Sequence, residues 1–377
     1  MTVIVRKPDI IEKLKILSAD AQYDLACACG STKDEHRRRS SEGKWIYPIT
    51  LASGGRASLF KVLMSNVCSN DCKYCPLREN QDIRRCSLSP DEIVRLFLDY
   101  YNQGKVFGLF LSSGVIGTAD STMERIDAIA RLLRNRHAFR GYIHLKIIPG
   151  ASIPAINEAV SLASAVSLNI ETPGAEYLSK VSSRKDYIRD IIEPIKHISR
   201  LTARGSRWHR VKQTTQFIVG AAGEPDRQIV RYMGGLYERL KLDRIYFSAY
   251  QQGLGSPDLP AEQAASREDI LTREHRLYQV DFLMRKYGFK DSEILFDAHG
   301  QLSLTEDPKT TWAKMHPDFY PVDINHADKF ELLRVPGLGP AAVNRILQQR
   351  RSGRICCIED IGLAGKLLAK AKPYLAF

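Results

Sequence analysis

The sequence lacks any run of about 18 apolar residues, the length that a helix needs to cross a bilayer, so we expect no membrane span. The first residues, MTVIVRKPDI, also lack the long apolar core of a secretion signal. We therefore expect a cytoplasmic protein whose thiols stay reduced. Low-complexity tracts are missing too, and a composition of 44% hydrophobic and 26% charged residues is typical of a globular chain.

Acidic residues are scarce relative to basic ones. The chain of 377 residues has 43 Asp and Glu against 55 Lys and Arg, a formal net charge of +12. Such an excess favours a polyanionic partner, either nucleic acid or an anionic surface, and says nothing about the fold. The run Arg37–Arg39 is expected in a solvated loop. In the basic stretch 196–212, Lys196, Arg200 and Arg204 would share a helical face without acidic partners. There a solvated surface and a nucleic-acid contact both stay open.

Disulfides are not expected among the eight cysteines of a cytoplasmic chain. Five of them follow no metal-binding spacing and are predicted to be buried structural thiols. These are Cys27, Cys29, Cys86, Cys356 and Cys357. The other three, Cys68, Cys72 and Cys75, lie in the stretch CSNDCKYC, and no fourth cysteine stands beside them. Thiolates prefer zinc, copper(I) or iron–sulfur clusters. A zinc site would need further closely spaced ligands, and no CxxC or HxxxH occurs elsewhere, whereas a cubane cluster can be held at three of its irons.

Apolar runs rich in β-branched and aromatic residues alternate with helical patterns along the chain. These runs predict strands at residues 58–64, 107–112, 142–148, 165–171, 215–219 and 244–249. Between them, residues 90–103 and 123–136 repeat apolar positions at helical intervals. The alternation predicts an α/β protein whose parallel sheet curls into a full or partial barrel. The cysteines follow the first predicted strand, so we expect them in the first βα loop, at the edge where such sheets bind ligands.

The C-x3-C-x2-C spacing, with Tyr74 before the last cysteine, resembles the signature of the radical SAM superfamily. The resemblance implies a partial (β/α)6 barrel of the TIM type and a 4Fe–4S cluster held by Cys68, Cys72 and Cys75. It also implies that S-adenosyl-L-methionine binds the open iron and that an electron donor reduces the cluster. Cleavage of the cofactor would yield a 5′-deoxyadenosyl radical, which abstracts a hydrogen.

Further cofactor contacts can be assigned only through this resemblance. The positions that it assigns are Tyr74, Ser113, Gly114, Asn169, Glu171 and Gly220. Tyr74 matches the residue that lies against adenine, and Gly220 matches a glycine that supports adenine. Ser113 and Gly114 stand where the superfamily carries Gly-Gly-Glu, so the acid is absent here and backbone groups and serine hydroxyls would replace it. Asn169 and Glu171 would contact ribose or the amino group, although a buried pair satisfied by its neighbours is the alternative. No catalytic side chain is assigned.

The stretch 322–351 predicts two helices joined by the turn Pro336–Gly339 and resembles a helix-hairpin-helix motif. In such motifs, N–H groups at the turn and at the start of the second helix point at a phosphate of duplex DNA. Gly337, Leu338, Gly339 and Arg345 are therefore predicted to bind DNA. A second copy at 358–366 departs from the pattern, because it has Ala364 where a hairpin glycine would stand. The alternative is a helical domain for protein contacts.

Together these parts resemble the DNA modification or repair radical SAM proteins that end in a helix-hairpin-helix. The resemblance implies an enzyme that acts on DNA, with a uracil-DNA glycosylase-like protein as a partner. Two alternatives are a radical SAM enzyme that modifies RNA or tRNA and a non-catalytic DNA-binding iron–sulfur adaptor. The predicted division is an N-terminal helical and charged extension at 1–50, the radical SAM core at 51–305, and a linker with a small all-α hairpin domain at 306–377. Asp307 before Pro308 predicts the start of a helix near that boundary.

Overall fold

The structure is a computed structural model, and the residues that it describes are 8–21, 43–50, 55–264, 267–361 and 365–377. The chain forms two compact units. The first unit comprises the chain up to Glu224 together with Leu236–Ile270, and the second comprises Pro225–Gly235 and Leu271–Phe377. This division follows compactness alone, so the three-part organisation expected from the sequence stays a prediction. The predictions for Cys27, Cys29 and Arg37–Arg39 lie outside the described residues.

The first unit is built on one open sheet of seven strands, which lie side by side in chain order, consistent with a partial barrel. The strands are β1 Ile46–Thr50, β2 Arg56–Leu63, β3 Gly108–Ser112, β4 Tyr142–Lys146, β5 Ala165–Ser167, β6 Lys212–Val219 and β7 Arg244–Ala249. Strands β2 to β7 are all parallel, whereas β1 pairs antiparallel with β2. The carboxyl ends of the six parallel strands therefore meet at one edge of the sheet.

Six strands were predicted from the sequence, and the described sheet of the first unit has seven, because β1 was missed. Pro48 stands in the middle of this strand and pairs with Ser58. Proline cannot donate to a ladder, and it is tolerated here because β1 is an edge strand. The cysteine loop consequently follows the second strand of the sheet rather than the first. Strand β5 is also shorter than the predicted 165–171, although Glu171 still forms an isolated bridge with Phe217.

Helices connect the parallel strands and continue into the second unit. They are α1 Ile10–Asp20, α2 Pro90–Asn102, α3 Ala119–Arg131, α4 Ile153–Leu162, α5 Ala175–Val181, α6 Glu193–Leu201, α7 Asp226–Glu238, α8 Pro260–Ala264, α9 Arg267–Lys286, α10 Pro308–Met315, α11 Lys329–Arg334, α12 Pro340–Gln349 and α13 Gly365–Ala371. Two π-helical turns, Leu132–Arg136 and Tyr187–Ile192, extend α3 and precede α6. The predicted helix at 90–103 is confirmed as α2, which begins after Ser89, whose hydroxyl accepts from the Glu92 N–H. No described helix is long and apolar enough to cross a membrane.

The two faces of the sheet differ in polarity. On one face, alternate residues such as Leu109 and Ile143 are apolar and fully buried. The opposite face carries a row formed by Lys61, Phe110 and His144, in which the ammonium group lies 5.2 Å from the phenyl centroid and the two rings lie 4.5 Å apart. Because side chains alternate along a strand, residues two positions further on share this polar face. The polar face therefore leads directly to the carboxyl edge.

The second unit has a small core of its own. Its buried residues are Val322, Ile324, Ala327, Leu332, Leu333, Val335, Leu338, Ala342, Val343, Ile346, Ile355, Ala371 and Leu375. A short parallel pair, β8 Val322–Asp323 with β9 Leu375–Ala376, joins the two ends of this region. The predicted cap of α10 is confirmed, since the Asp307 carboxylate accepts from the Thr310 N–H at 3.0 Å.

Candidate active site

A cavity of about 150 Å³ opens at the carboxyl edge of the sheet in the first unit. Leu63, Ser112 and Lys146, the last residues of β2, β3 and β4, line it. Asn169, beyond β5, and Ile218, near the end of β6, complete this wall. All three cysteines of the cysteine loop, residues 68–75, line the same cavity. The local motif and the topology of the sheet thus bring the thiols to the place where parallel sheets bind ligands.

The cysteine loop packs directly against the turn that follows β3. A Cβ atom on Gly114 would lie 2.4 Å from the Val67 carbonyl oxygen and 3.2 Å from Cys68 Cβ. The Gly114 N–H donates to the Ser65 carbonyl at 2.8 Å, and the Ser69 N–H donates to the Val115 carbonyl at 2.9 Å. Only glycine allows this approach, so Gly114 fixes the position of the loop.

Side chains on both sides of the loop hold it closed. The Asp71 carboxylate accepts from the hydroxyls of Ser182 and Ser183, at 2.6 Å in each case. Burial alone would raise the pKa of Asp71, but these hydrogen bonds lower it to about 2. The buried Arg78 guanidinium donates to the Cys75 carbonyl at 3.1 Å. The geometry of the thiols therefore depends on contacts that the three-cysteine motif does not contain.

The thiols lie in an environment that disfavours the free thiolate. Burial raises the pKa of Cys75 to about 12 and also raises the pKa of Cys72, against the opposing charge of Lys185. A bound metal displaces such protons, so its affinity would depend on pH. Among the described residues, no three His, Cys, Asp or Glu side chains converge on a single ion site.

Glu171 and Lys185 form a buried ion pair in the cavity. Lys185 Nζ lies 3.8 Å from Glu171 Oε1, and each side chain is 7% exposed. Glu171 has a φ of +63°, and its Oε2 has no hydrogen-bond partner within the described chain. Burial and the charge of Glu171 raise the pKa of Tyr74, so this phenol stays protonated. Burial would lower the pKa of Lys185, but Cys72 and Glu171 outweigh it and raise that pKa.

The structure brings all but one of the predicted cluster and cofactor residues together in the cavity. The predicted residues that line the cavity are Cys68, Cys72, Tyr74, Cys75, Ser113, Gly114, Asn169 and Glu171. Gly220 is not among the described residues that line it. The Gly220 N–H instead donates to the buried Glu224 carboxylate, which also accepts from the Ala222 N–H at 3.0 Å. The backbone N–H groups of the glycine motif after β6 are thus hydrogen-bonded to Glu224, the acidic residue of the same motif. The sequence pattern alone does not reveal this interaction.

Sequence reasoning missed other residues of the cavity, namely Asp20, Lys146, Lys185 and Gln216. Asp20 ends α1 and accepts from the Asn66 amide at 2.7 Å, and burial raises its pKa. Lys185 follows α5 in a segment without a motif. Strand alternation could have identified Lys146 and Gln216, because they continue the polar face to the carboxyl edge.

In the second unit, the segment Val335–Gly339 joins α11 and α12. Gly337 has a φ of +87°, and a Cβ there would lie 2.5 Å from the Leu367 carbonyl oxygen. Leu338 is buried, its N–H donates to the Val335 carbonyl, and its carbonyl accepts from Lys309. Its side chain therefore serves the core and cannot reach a ligand. Arg345 is exposed on α12.

Two polar residues near the start of α11 have different roles in the tail. Asp328, and not Asn325, caps α11, and its carboxylate accepts from the Phe330 and Glu331 N–H groups. The Asn325 amide instead holds the backbone of Ile355, at 3.0 and 2.9 Å. The predicted second hairpin includes residues 362–364, which lie outside the described part of the chain.

Residues 62–234 match the family model described as the radical SAM superfamily. This stretch of the chain therefore carries a radical SAM domain, and the radical SAM superfamily uses a 4Fe–4S cluster and S-adenosylmethionine. No curated protein matches the chain.

Several solved structures are similar to the chain. The FeFe-hydrogenase maturase HydG from Carboxydothermus hydrogenoformans is 16% identical over 56% of this chain and 50% of its own, with a TM-score of 0.43. Methylornithine synthase (PylB) is 12% identical over 59% and 60%, with a TM-score of 0.46. SuiB from Streptococcus suis is 13% identical over 60% and 47%, with a TM-score of 0.45. The chain thus spans about half the length of these proteins.

The residues of the cavity fit the cofactors of this superfamily. Cys68, Cys72 and Cys75 supply three soft ligands on one wall, which suits an iron–sulfur cluster with one open iron. Glu171 offers a buried carboxylate oxygen without a partner among the described residues, which suits an amino or hydroxyl group of a ligand. The donor set and the orphaned oxygen both lie within one cavity.

Proposed function

We propose that this chain is a radical SAM enzyme that acts on a nucleotide in DNA and holds the duplex through its C-terminal hairpin. When bound, the cluster and S-adenosylmethionine would supply a 5′-deoxyadenosyl radical that abstracts a hydrogen. The chain's own part is to hold the cluster through its three cysteines, to exclude water with the apolar cavity wall, and to orient the ligand with Glu171.

The observation that carries the DNA assignment is the environment of Gly339, which precedes α12. Gly339 has an extended backbone with φ −108°, and the nearest atom to an added Cβ would be Tyr287 Oη at 3.6 Å. The described chain therefore has room for alanine at this position. A glycine that the fold does not need is explained by close approach of an outside group.

The start of α12 fits a phosphate as that outside group. No side chain caps this helix within the described residues, and Pro340 opens it. The first N–H groups of a helix lack internal acceptors and carry the positive end of the helix dipole, which favours an anion. Arg345 adds an exposed cation one turn further on. Such contacts position a duplex without reading its sequence.

The test of the hairpin compares two glycines. Gly339→Ala should leave the melting temperature unchanged and weaken binding to duplex DNA about tenfold, the effect of about 1.4 kcal/mol. Gly337→Ala, the matched variant, should instead lower the melting temperature, because its Cβ would collide with the Leu367 carbonyl. Equal DNA affinity of the Gly339→Ala variant and the unaltered chain would remove the hairpin as the anchor.

The test of the chemistry is 5′-deoxyadenosine release from anaerobically reconstituted and reduced protein, with and without duplex DNA. Release that rises with DNA and disappears in Cys72→Ala supports the proposal. Release that rises only with structured RNA would move the substrate to RNA. No release from protein with a full cluster would contradict the enzyme and favour an adaptor. A uracil-DNA glycosylase-like partner and the identity of the electron donor stay predictions.

A further inference from the structure

Charge is distributed unequally between the two edges of the sheet in the first unit. The segments that directly precede β3 to β7 hold nine basic residues and one acidic residue, and they are 103–107, 132–141, 163–164, 202–211 and 239–243. The segments that directly follow β2 to β7 hold four basic and six acidic residues, and they are 64–89, 113–118, 147–152, 168–174, 220–225 and 250–259. Because the strands are parallel, the first set meets at the amino-terminal edge and the second at the cavity. The positive charge is therefore concentrated away from the cavity.

The amino-terminal edge carries a group of exposed arginines that we call the basic rim. Its members are Arg136, Arg140, Arg204, Arg207, Arg210 and Arg239. In the described part of the chain, none of them forms an ion pair with a carboxylate. The cations next to them are different, since Lys196 pairs with Glu193 at 3.0 Å and Lys212 pairs with Asp243 at 2.8 Å. The expectation that Lys196 lacks an acidic partner is thus wrong, and the unpaired charge lies in the loop after α6.

Helix dipoles explain only part of the basic rim. Cations near the last turn of a helix are stabilised by its negative end, and Arg136 occupies such a position. Arg204, Arg207 and Arg210 lie beyond Leu201, the last residue of α6, where this effect has decayed. Their mutual repulsion has no compensating carboxylate among the described residues. An external polyanion would provide the compensating negative charge.

Nucleic acid fits the basic rim better than a generic anion does. Arg207 lies over the Trp208 ring, 5.6 Å from its centroid, so the loop combines cations with an aromatic surface. Interleaved arginine and aromatic side chains are typical of nucleic-acid-binding surfaces. We propose that the basic rim binds the phosphate backbone of duplex DNA at a place separate from the reaction cavity. The choice of DNA rests on the proposed function.

The distance across the sheet separates this contact from the cavity. Strand β6 has eight residues, which span about 26 Å at roughly 3.3 Å each. This is the length of about eight base pairs of duplex. The rim therefore holds a different segment of DNA from the one whose nucleotide would enter the cavity, and its contribution is to affinity and not to the choice of the reacting atom.

The test uses two matched pairs of substitutions in the full chain. Arg207→Gln with Arg210→Gln removes two charges of the rim, and Arg95→Gln with Arg125→Gln removes two exposed charges from the outer faces of α2 and α3. The affinity for a fluorescent duplex is measured over a range of salt concentrations. Each phosphate contact contributes about 0.9 to the slope of log K against log salt, so the rim variant should lose about 1.8 from the slope and the control nothing.

The outcomes separate this inference from the proposed function. A lower slope and weaker binding in the rim variant alone, with an unchanged melting temperature, support the rim as a DNA contact. Equal slopes for the two variants overturn it, even if DNA still stimulates 5′-deoxyadenosine release and Gly339→Ala still weakens binding. A rim variant that loses affinity for structured RNA but not for DNA also overturns it. Failure of DNA to bind the unaltered chain would overturn both proposals.

Discussion

The buried pair of Glu171 and Lys185 offers the sharpest test of how the cavity is held. Lys185→Met keeps the length of the side chain and removes its charge. The substitution leaves the Glu171 carboxylate buried and without the counter-charge of Lys185. The penalty comes from the carboxylate that remains and not from the lost contact itself.

The magnitude follows from the geometry. At the 3.8 Å separation of Nζ and Oε1, two unit charges attract by about 4 kcal/mol when the effective dielectric constant is about 20. Removing one partner of a buried pair costs about 3–5 kcal/mol by comparison with other proteins, which agrees. Surface screening does not reduce this value, because both side chains are 7% exposed. For a domain of this size the melting temperature should fall by about 8–16 °C.

The assay is thermal unfolding of the metal-free chain, followed by circular dichroism, in a double-mutant cycle with Glu171→Gln. The double variant should be more stable than the sum of the two single effects predicts, because it buries no unpaired charge. Additive effects, or an unchanged melting temperature in Lys185→Met, would refute the assignment of this pair as a coupled buried unit.

Two further predictions concern Gly114 and Lys309. Gly114→Ala should reduce the iron bound per chain after reconstitution, because its Cβ would displace the Val67 carbonyl and with it Cys68. The control Gly353→Ala places its Cβ in open space and should bind iron normally. Full iron content in Gly114→Ala would contradict the argument. Burial lowers the pKa of Lys309 from 10.5 to about 7, so the unfolded chain binds more protons between these values and the free energy of unfolding should rise with pH across that window. Lys309→Met should flatten this rise, as measured by urea titrations at several pH values. The same pH profile in the variant and the unaltered chain would contradict the assignment of this pH dependence to Lys309.

Much of the fold could be predicted because its signals are local. The alternation of apolar runs and helical periods identified the parallel strands, and the rule that ligands bind at the carboxyl edge placed the cysteine loop. The strand β1 was missed because a short run with Pro48 at its centre has the composition of a loop. The pairing of β1 depends on β2, which lies elsewhere in the chain, and no local pattern records it.

The candidate site was predictable to the extent that its residues belong to motifs. Lys185 and Asp20 reach the cavity through tertiary packing, from a segment after α5 and from the end of α1. Glycine illustrates the same limit. Gly114 and Gly337 are required because another part of the chain approaches them closely, whereas no part of the described chain approaches Gly339 in this way. The Gly220 N–H donates to the Glu224 carboxylate. The residue type is glycine at all four positions, and only the tertiary contacts of each position show which role it has.

Glu171 is the residue whose arrangement folding alone explains least. Its φ of +63° is a conformation that costs a non-glycine residue about 1–3 kcal/mol. Its Oε2 is buried without a partner among the described residues, which adds a desolvation cost. A satisfied structural carboxylate would carry neither cost, so the alternative of a pair satisfied by its neighbours accounts for Oε1, which faces Lys185, and not for Oε2. Costs of this kind persist where a ligand offsets them, which agrees with the proposal that Glu171 orients a ligand beside the three cysteines that line the same cavity.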